Sequence, residues 1–292
     1  MKQILIASGK GGAGKTCFTA SLMHFLGEKV ITADCDVDAA NLAILTGKNQ
    51  KEKHDFHSGK NASINLEKCT ACSKCISICR FDAIKKKSAN FFHIDDLSCE
   101  GCGACTEVCP NNAIDLSPDH VGEFYLSETR FNSWLIHAYL YPGNDNSGKL
   151  VTQVRNKTLD IARKHNKELI LIDGPPGIGC PVIASLSGVD LLVVVAEAGI
   201  SGISDAKRLI GLSENMKVPV VCLLNKTQLN PEIEKEFQSY LKKKNIKLIG
   251  QIAYHEKLID ILNLKKTWLE LNDNEFRLNF KKITQNILGE LK

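Results

Sequence analysis

Residues 9 to 16 read GKGGAGKT, which fits the phosphate-binding pattern G-x-x-x-x-G-K-[ST]. That pattern works only between a strand and a helix, so it dictates how the chain begins. QILIAS at 3–8 is a short apolar strand, and TCFTASLMHFL at 16–26 has the spacing of a helix. Gly9, Gly11, Gly12 and Gly14 open backbone conformations closed to other residues, so successive N–H groups can turn toward phosphate oxygens at the helix N-terminus. Lys15 would reach the β- and γ-phosphates, and the Thr16 hydroxyl would take one Mg²⁺ position. A nucleoside triphosphate with Mg²⁺ is the expected ligand.

The cysteines carry a second chemistry. Of the 12, eight fall into two C-x₂-C-x₂-C-x₃-C runs thirty residues apart: Cys69, Cys72, Cys75 and Cys79, then Cys99, Cys102, Cys105 and Cys109. Ala83-Ile84 recurs as Ala113-Ile114 at the same displacement. This resembles the bacterial two-[4Fe–4S] ferredoxin pattern, in which the fourth cysteine of each run ligates the other cluster. The resemblance assigns Cys69, Cys72, Cys75 and Cys109 to one cluster, and Cys99, Cys102, Cys105 and Cys79 to the other. Arg80 departs from the pattern where Pro110 keeps it. Zinc modules present two separated C-x₂-C pairs around one metal, which these runs do not. The start MKQILIASGKGG has no secretory segment, so a disulfide framework is not expected and a reducing, cytoplasmic setting is.

Strands alternate with helices from Gln3 to about Leu45, and again from about Gly122 to the C-terminus. The fold class expected is α/β, a doubly wound, mostly parallel sheet with helices on both faces and a small inserted α+β ferredoxin-like domain. The expected divisions are 1–60 and 119–292 for the nucleotide-binding part and 61–118 for the insert, entered through the polar stretch GKNQKEKHDFHSGKN.

Lys10 narrows the family. SGKGGAGKT resembles the deviant phosphate loop of the MinD, ParA and nitrogenase iron protein superfamily, whose signature lysine contacts the nucleotide of the partner subunit. The resemblance implies an ATPase working as a nucleotide-sandwich dimer, with Gly11, Gly12, Ala13, Gly14, Lys15, Thr16 and Cys17 binding the nucleotide. ITADCDVDAANL at 31–42 looks like its switch I: Asp36 matches the residue that positions the attacking water, and Asp34 lies nearer the metal. Lys10, Lys15 and Asp36 are thus the catalytic set. In ELILIDGPPGIG, Asp173 resembles the acid that holds Mg²⁺ through water, and Gly174 to Gly179 resembles switch II. Asn225, closing VPVVCLLNK, resembles the adenine-contacting asparagine, although an asparagine there also serves as a turn residue.

Cys17, Cys35 and Cys222 read as small buried hydrophobes. Cys180 follows Asp173 by seven residues, the offset at which the nitrogenase iron protein places a cluster ligand; a small residue starting a helix is the plainer reading. A formal charge of +4 is too slight to imply nucleic acid, and KKK at 85–87 and 242–244 reads as solvated surface. Residues 276–291 place Phe276, Phe280, Ile283, Ile287 and Leu291 on one helical face, which suits docking on the core better than membrane attachment.

Three functions remain open. ATP could drive a dimer, homomeric or formed with a paralogue, that gates electron transfer from the two clusters to a partner protein. The chain could instead carry iron–sulfur clusters to an acceptor, or position cargo as MinD and ParA do while its clusters sense redox state. The complete ferredoxin pattern favours the first.

Overall fold

The structure is a computed structural model describing residues 1–88, 91–144 and 147–291. It divides into two compact units. The first comprises Met1–His54, Glu123–Leu140 and Ser147–Lys292; the second comprises Asp55–Gly122 and Tyr141–Asn146.

The first half of the chain runs through β1 (Lys2–Ser8), α1 (Lys15–Leu26), β2 (Val30–Asp34), α2 (Leu42–Thr46), β3 (Asn49–Ile64), α3 (Lys74–Ile78), β4 (Ile84–Ser88), β5 (Phe91–Ile94), α4 (Ala104–Glu107), β6 (Ile114–Glu128) and β7 (Trp134–Leu140). It continues through α5 (Ser147–Lys164), β8 (Leu169–Pro176), α6 (Cys180–Leu186), β9 (Leu191–Glu197), α7 (Ile200–Asn215), β10 (Val220–Thr227), α8 (Pro231–Lys243), β11 (Lys247–Ala253), α9 (Glu256–Asn263) and α10 (Asn274–Gly289).

A nine-stranded sheet has the order β11-β10-β9-β1-β8-β2-β7-β6-β3. From β11 across to β7 each strand pairs in parallel with its neighbour. The central strands read as continuous buried runs, such as Leu191 to Ala196, because helices cover both faces. Strand order reverses beside β1, so the carboxyl ends of β1, β2 and β8 open the crevice in which such sheets bind ligands.

The stretch expected to be a polar linker is strand instead. β3 spans Asn49–Ile64, and β6 likewise runs from the second unit into the first, so the units divide at 55 and 122 rather than at 61 and 118. Alternating KEKHDF leaves mostly exposed side chains on β3, and its lysines and Gly59 suit a sheet edge. α10 buries Phe280, Ile283 and Ile287 in the main core, with Phe276 and Leu291 packed against it, which leaves that face no membrane role. Among the described residues no helix is long and apolar enough to cross a membrane.

β6 and β7 also bury a histidine. His137 is 5% exposed and shares a 3.1 Å hydrogen bond between its Nε2 and the Ser127 hydroxyl. Burial, helped by Lys48, pushes its pKa down to about 4. A base whose folded pKa is lowered is neutral when folded but charges when unfolded, so its penalty grows as pH falls from about 6.5 to 4. The expected loss over that window is on the order of 3 kcal/mol. Urea titrations at pH 7 and pH 4 should show this difference in wild type and a smaller one in His137→Phe. Equal pH differences in both proteins would exclude His137 as the source.

Candidate functional site

The phosphate loop is shaped by positions where a side chain does not fit. Gly14 has φ +95°, and a Cβ there would collide with the Asn225 amide nitrogen. That amide donates a 2.8 Å hydrogen bond to the Ala13 carbonyl, so Asn225 braces the loop from β10. This bracing is a role the sequence did not suggest, distinct from the base contact that the resemblance implies.

Lys15 opens α1 and is 7% exposed. Its ammonium lies 2.8 Å from Asp36 Oδ2. Burial works to strip its proton, but Asp173, Asp36 and Asp34 outweigh that and hold the pKa above the ordinary lysine range. Asp34, the last residue of β2, lies in direct register with Asp173 of the neighbouring β8, and both are fully buried. Asp34 accepts from the amides of Leu42 at 3.1 Å and Asp36 at 3.2 Å, which ties residues 36–42 to the end of β2. Burial first, then Asp173, pushes Asp34 well above the usual carboxylate range.

Burial pushes Asp173 up to about 6, against Lys15 and the hydrogen bonds from Thr16 and Thr19. The Thr19 hydroxyl bonds Asp173 Oδ1 at 2.9 Å, while Oδ2 is buried without a partner. Thr19 was not singled out from sequence, yet its place one turn after Lys15 was the available signal. Three carboxylates around one lysine, with one buried oxygen of Asp173 left unpartnered, fit a hydrated divalent cation. Thr16, Asp34 and Asp173 could hold it.

Lys10 lies elsewhere in this single chain. Its ammonium is 3.2 Å from Glu197 Oε2 and 3.2 Å from the Ser201 hydroxyl. Gly11 and Gly12 are exposed, and Ala13 is buried. Cys17 is half-buried, with burial pushing its thiol up to about 11, and Cys222 is pushed to about 12; neither favours a reactive thiolate. Cys35 is buried and shifted upward too. Cys180 is exposed at the start of α6. Gly174 and Pro175 belong to β8, where a Cβ on Gly174 would lie 2.8 Å from Leu5 Cδ1, so part of the expected switch II is strand.

In the second unit the eight paired cysteines are free thiols gathered into two recesses. One is lined by Cys69, Cys72, Cys75 and Cys109; the other by Cys99, Cys102, Cys105 and Cys79. Each therefore mixes three cysteines of one run with the last of the other. A pseudo-twofold relation underlies this exchange. The Asn65 amide donates to the Ala113 carbonyl at 2.7 Å, and its counterpart Asp95 donates to Ala83 at 2.8 Å. Positive φ values at Ala71, Ser73 and Asp82 recur at Gly101, Gly103 and Asn112. Even the small core pairs thirty residues apart, with Ala62 and Phe92, Cys75 and Cys105, and Ile84 and Ile114. Four soft thiol donors around each recess fit a cubane cluster, and no disulfide competes for them.

The profile of the CobQ/CobB/MinD/ParA nucleotide binding domain, CbiA, matches residues 4–268. The chain belongs to this family. "Uncharacterized protein MJ0578" of Methanocaldococcus jannaschii is 35% identical over 230 residues, covering 78% of this chain and 79% of that protein. The septum site-determining protein MinD of Bacillus subtilis is 24% identical over 298 residues, covering 98% and 89%. Among solved structures, MinD of Pyrococcus horikoshii complexed with Mg-ADP has a TM-score of 0.59 at 17% identity, covering 98% of this chain and 95% of that one. These likenesses agree with the mostly parallel sheet seen here. As a MinD/ParA-family protein, the chain places its phosphate loop, Asp34 and Asp173 at one end of that sheet.

Proposed function

We propose that this protein is an ATP-dependent dimeric switch that holds two [4Fe–4S] clusters and couples nucleotide state to electron transfer with a partner protein. The observation that carries this reading is the sorting of eight free cysteines into two mixed recesses on a chain that also has a phosphate loop. When bound, the clusters supply one-electron chemistry.

The chain's own residues supply the rest. Lys15 and the loop amides would bind phosphate, and Thr16, Asp34 and Asp173 would hold Mg²⁺. Asp36 orients water once nucleotide has drawn Lys15 away from it. Lys10 leaves Glu197 to meet the nucleotide of the partner subunit. Burial of Cys75 and Cys105 supports retained clusters over a carrier that surrenders them.

A route for coupling lies within the first unit. A Cβ on Gly148, at the start of α5, would lie 3.6 Å from the carbonyl oxygen of Cys180, an ordinary van der Waals distance, so α5 and α6 run side by side in contact. The Arg155 guanidinium of α5 also bonds the Ala184 carbonyl at 2.9 Å. Motion of α6 on nucleotide binding therefore moves α5, whose N-terminus follows directly on the last segment of the second unit. Cluster potentials measured with no nucleotide, with ADP and with a non-hydrolysable ATP analogue test the proposal. By linkage, tenfold tighter ATP binding to the reduced protein raises the potential by about 59 mV. Identical potentials in all three states would remove the gated redox reading and put the carrier reading ahead.

A further inference from the structure

The pseudo-twofold relation sets a baseline: two sites built by an exact repeat would hold clusters of equal potential. Departures from the repeat therefore decide which site is easier to reduce. Solvent access does not separate them, since Cys75 and Cys105 are 8% and 9% exposed and Cys72 and Cys102 are both exposed.

Charge does. Lys74 lines the recess of Cys69, Cys72, Cys75 and Cys109, where the repeat-related residue of the other recess is Ala104. Glu100 lines that other recess, where its own counterpart is Thr70. Reduction adds one negative charge to a complex that four thiolates already make anionic. A lysine at the wall stabilises that extra charge, and a glutamate opposes it.

Hydrogen bonding acts in the same direction. The Ala113 amide donates to Cys109 Sγ at 3.2 Å, and Cys109 belongs to the lysine-lined recess. The matching bond from Ala83 to Cys79 is not formed among the described residues. An amide aimed at a ligating sulfur withdraws charge and favours the reduced state. Arg80, next to Cys79, works against this order; it is exposed, as Lys74 and Glu100 are, but unlike them it lies outside the lining of either recess and so acts from farther away.

We infer that the recess of Cys69, Cys72, Cys75 and Cys109 holds the higher-potential cluster and takes the first electron, while the Glu100 recess holds the lower-potential cluster. The inference rests on the two-cluster reading above. It gives that reading an internal direction: an electron arriving at the Glu100 site runs downhill to the Lys74 site.

The test uses the full-length protein, purified anaerobically, assayed for iron, and titrated with dithionite under paramagnetic resonance. Two one-electron steps should appear, with at least a tenfold preference for the first site, about 59 mV. Lys74→Ala and Glu100→Thr give each position its repeat mate's residue. The first should lower the upper step and the second should raise the lower step, while iron content stays unchanged. Cys72→Ser should alter the signal that appears first and Cys102→Ser the later one. Coincident steps at full iron content, or a first signal that responds to Cys102→Ser, would overturn the order and leave the two-cluster reading standing. An iron count near zero would remove both.

Discussion

Anaerobically purified protein is expected to contain about eight iron atoms per chain, and single cysteine replacements are expected to remove about four. The informative result is which pairs of replacements add. Cys79 lies in the first run by sequence, but its side chain lines the recess of Cys99, Cys102 and Cys105. Cys79→Ala combined with Cys99→Ala should therefore cost no more iron than either alone, because both strike the same cluster. Cys79→Ala combined with Cys69→Ala should bring the count close to zero, although those two cysteines share a run. Cys109→Ala should show the opposite pattern, pairing harmlessly with Cys69→Ala and fully with Cys99→Ala. If iron loss followed the runs instead of the recesses, the exchange of fourth ligands would be wrong. Tightly bound zinc would exclude the clusters altogether.

The two chemical signatures were legible in the sequence for the same physical reason: each needs particular residue types at fixed short spacing. GKGGAGKT gave the loop its place between β1 and α1, and the repeated cysteine spacing anticipated which thiols share a recess. What stayed hidden depends on partners far away in sequence. β3 looked like a linker because KEKHDF has few apolar residues, and an edge strand needs few; its order comes from pairing with β6, some sixty residues on. Asn225 was legible as a strand-ending polar residue, but its bond to the Ala13 carbonyl joins residues 212 positions apart. The left-handed backbone at Ala71 and Ser73 was masked because only the second repeat places glycine there. The Lys15–Asp36 ion pair was hidden too, since the resemblance assigned the two residues separate duties.

That ion pair governs the other large expected effect. Lys15→Ala should weaken Mg-ATP binding by at least a hundredfold, measured by calorimetry. It removes the phosphate cation and leaves Asp34, Asp36 and Asp173 as an uncompensated cluster of carboxylates facing the triphosphate. Asp36→Ala should act in the opposite sense on binding. Asp36 holds the Lys15 ammonium at 2.8 Å and competes with phosphate for it; without Asp36, Lys15 is free for phosphate and affinity should rise severalfold. Hydrolysis should nevertheless fall by at least a hundredfold, because the group proposed to orient water is gone, and the dimer should persist in ATP. Lys10→Ala separates these effects. Its side chain rests on Glu197 and Ser201 outside the Lys15 cluster, so binding should survive while hydrolysis is lost if Lys10 serves the partner subunit's nucleotide. Wild-type hydrolysis by Lys10→Ala would refute that service. Unchanged ATP affinity in Asp36→Ala would show that breaking the Lys15–Asp36 pair is no part of the cost of binding.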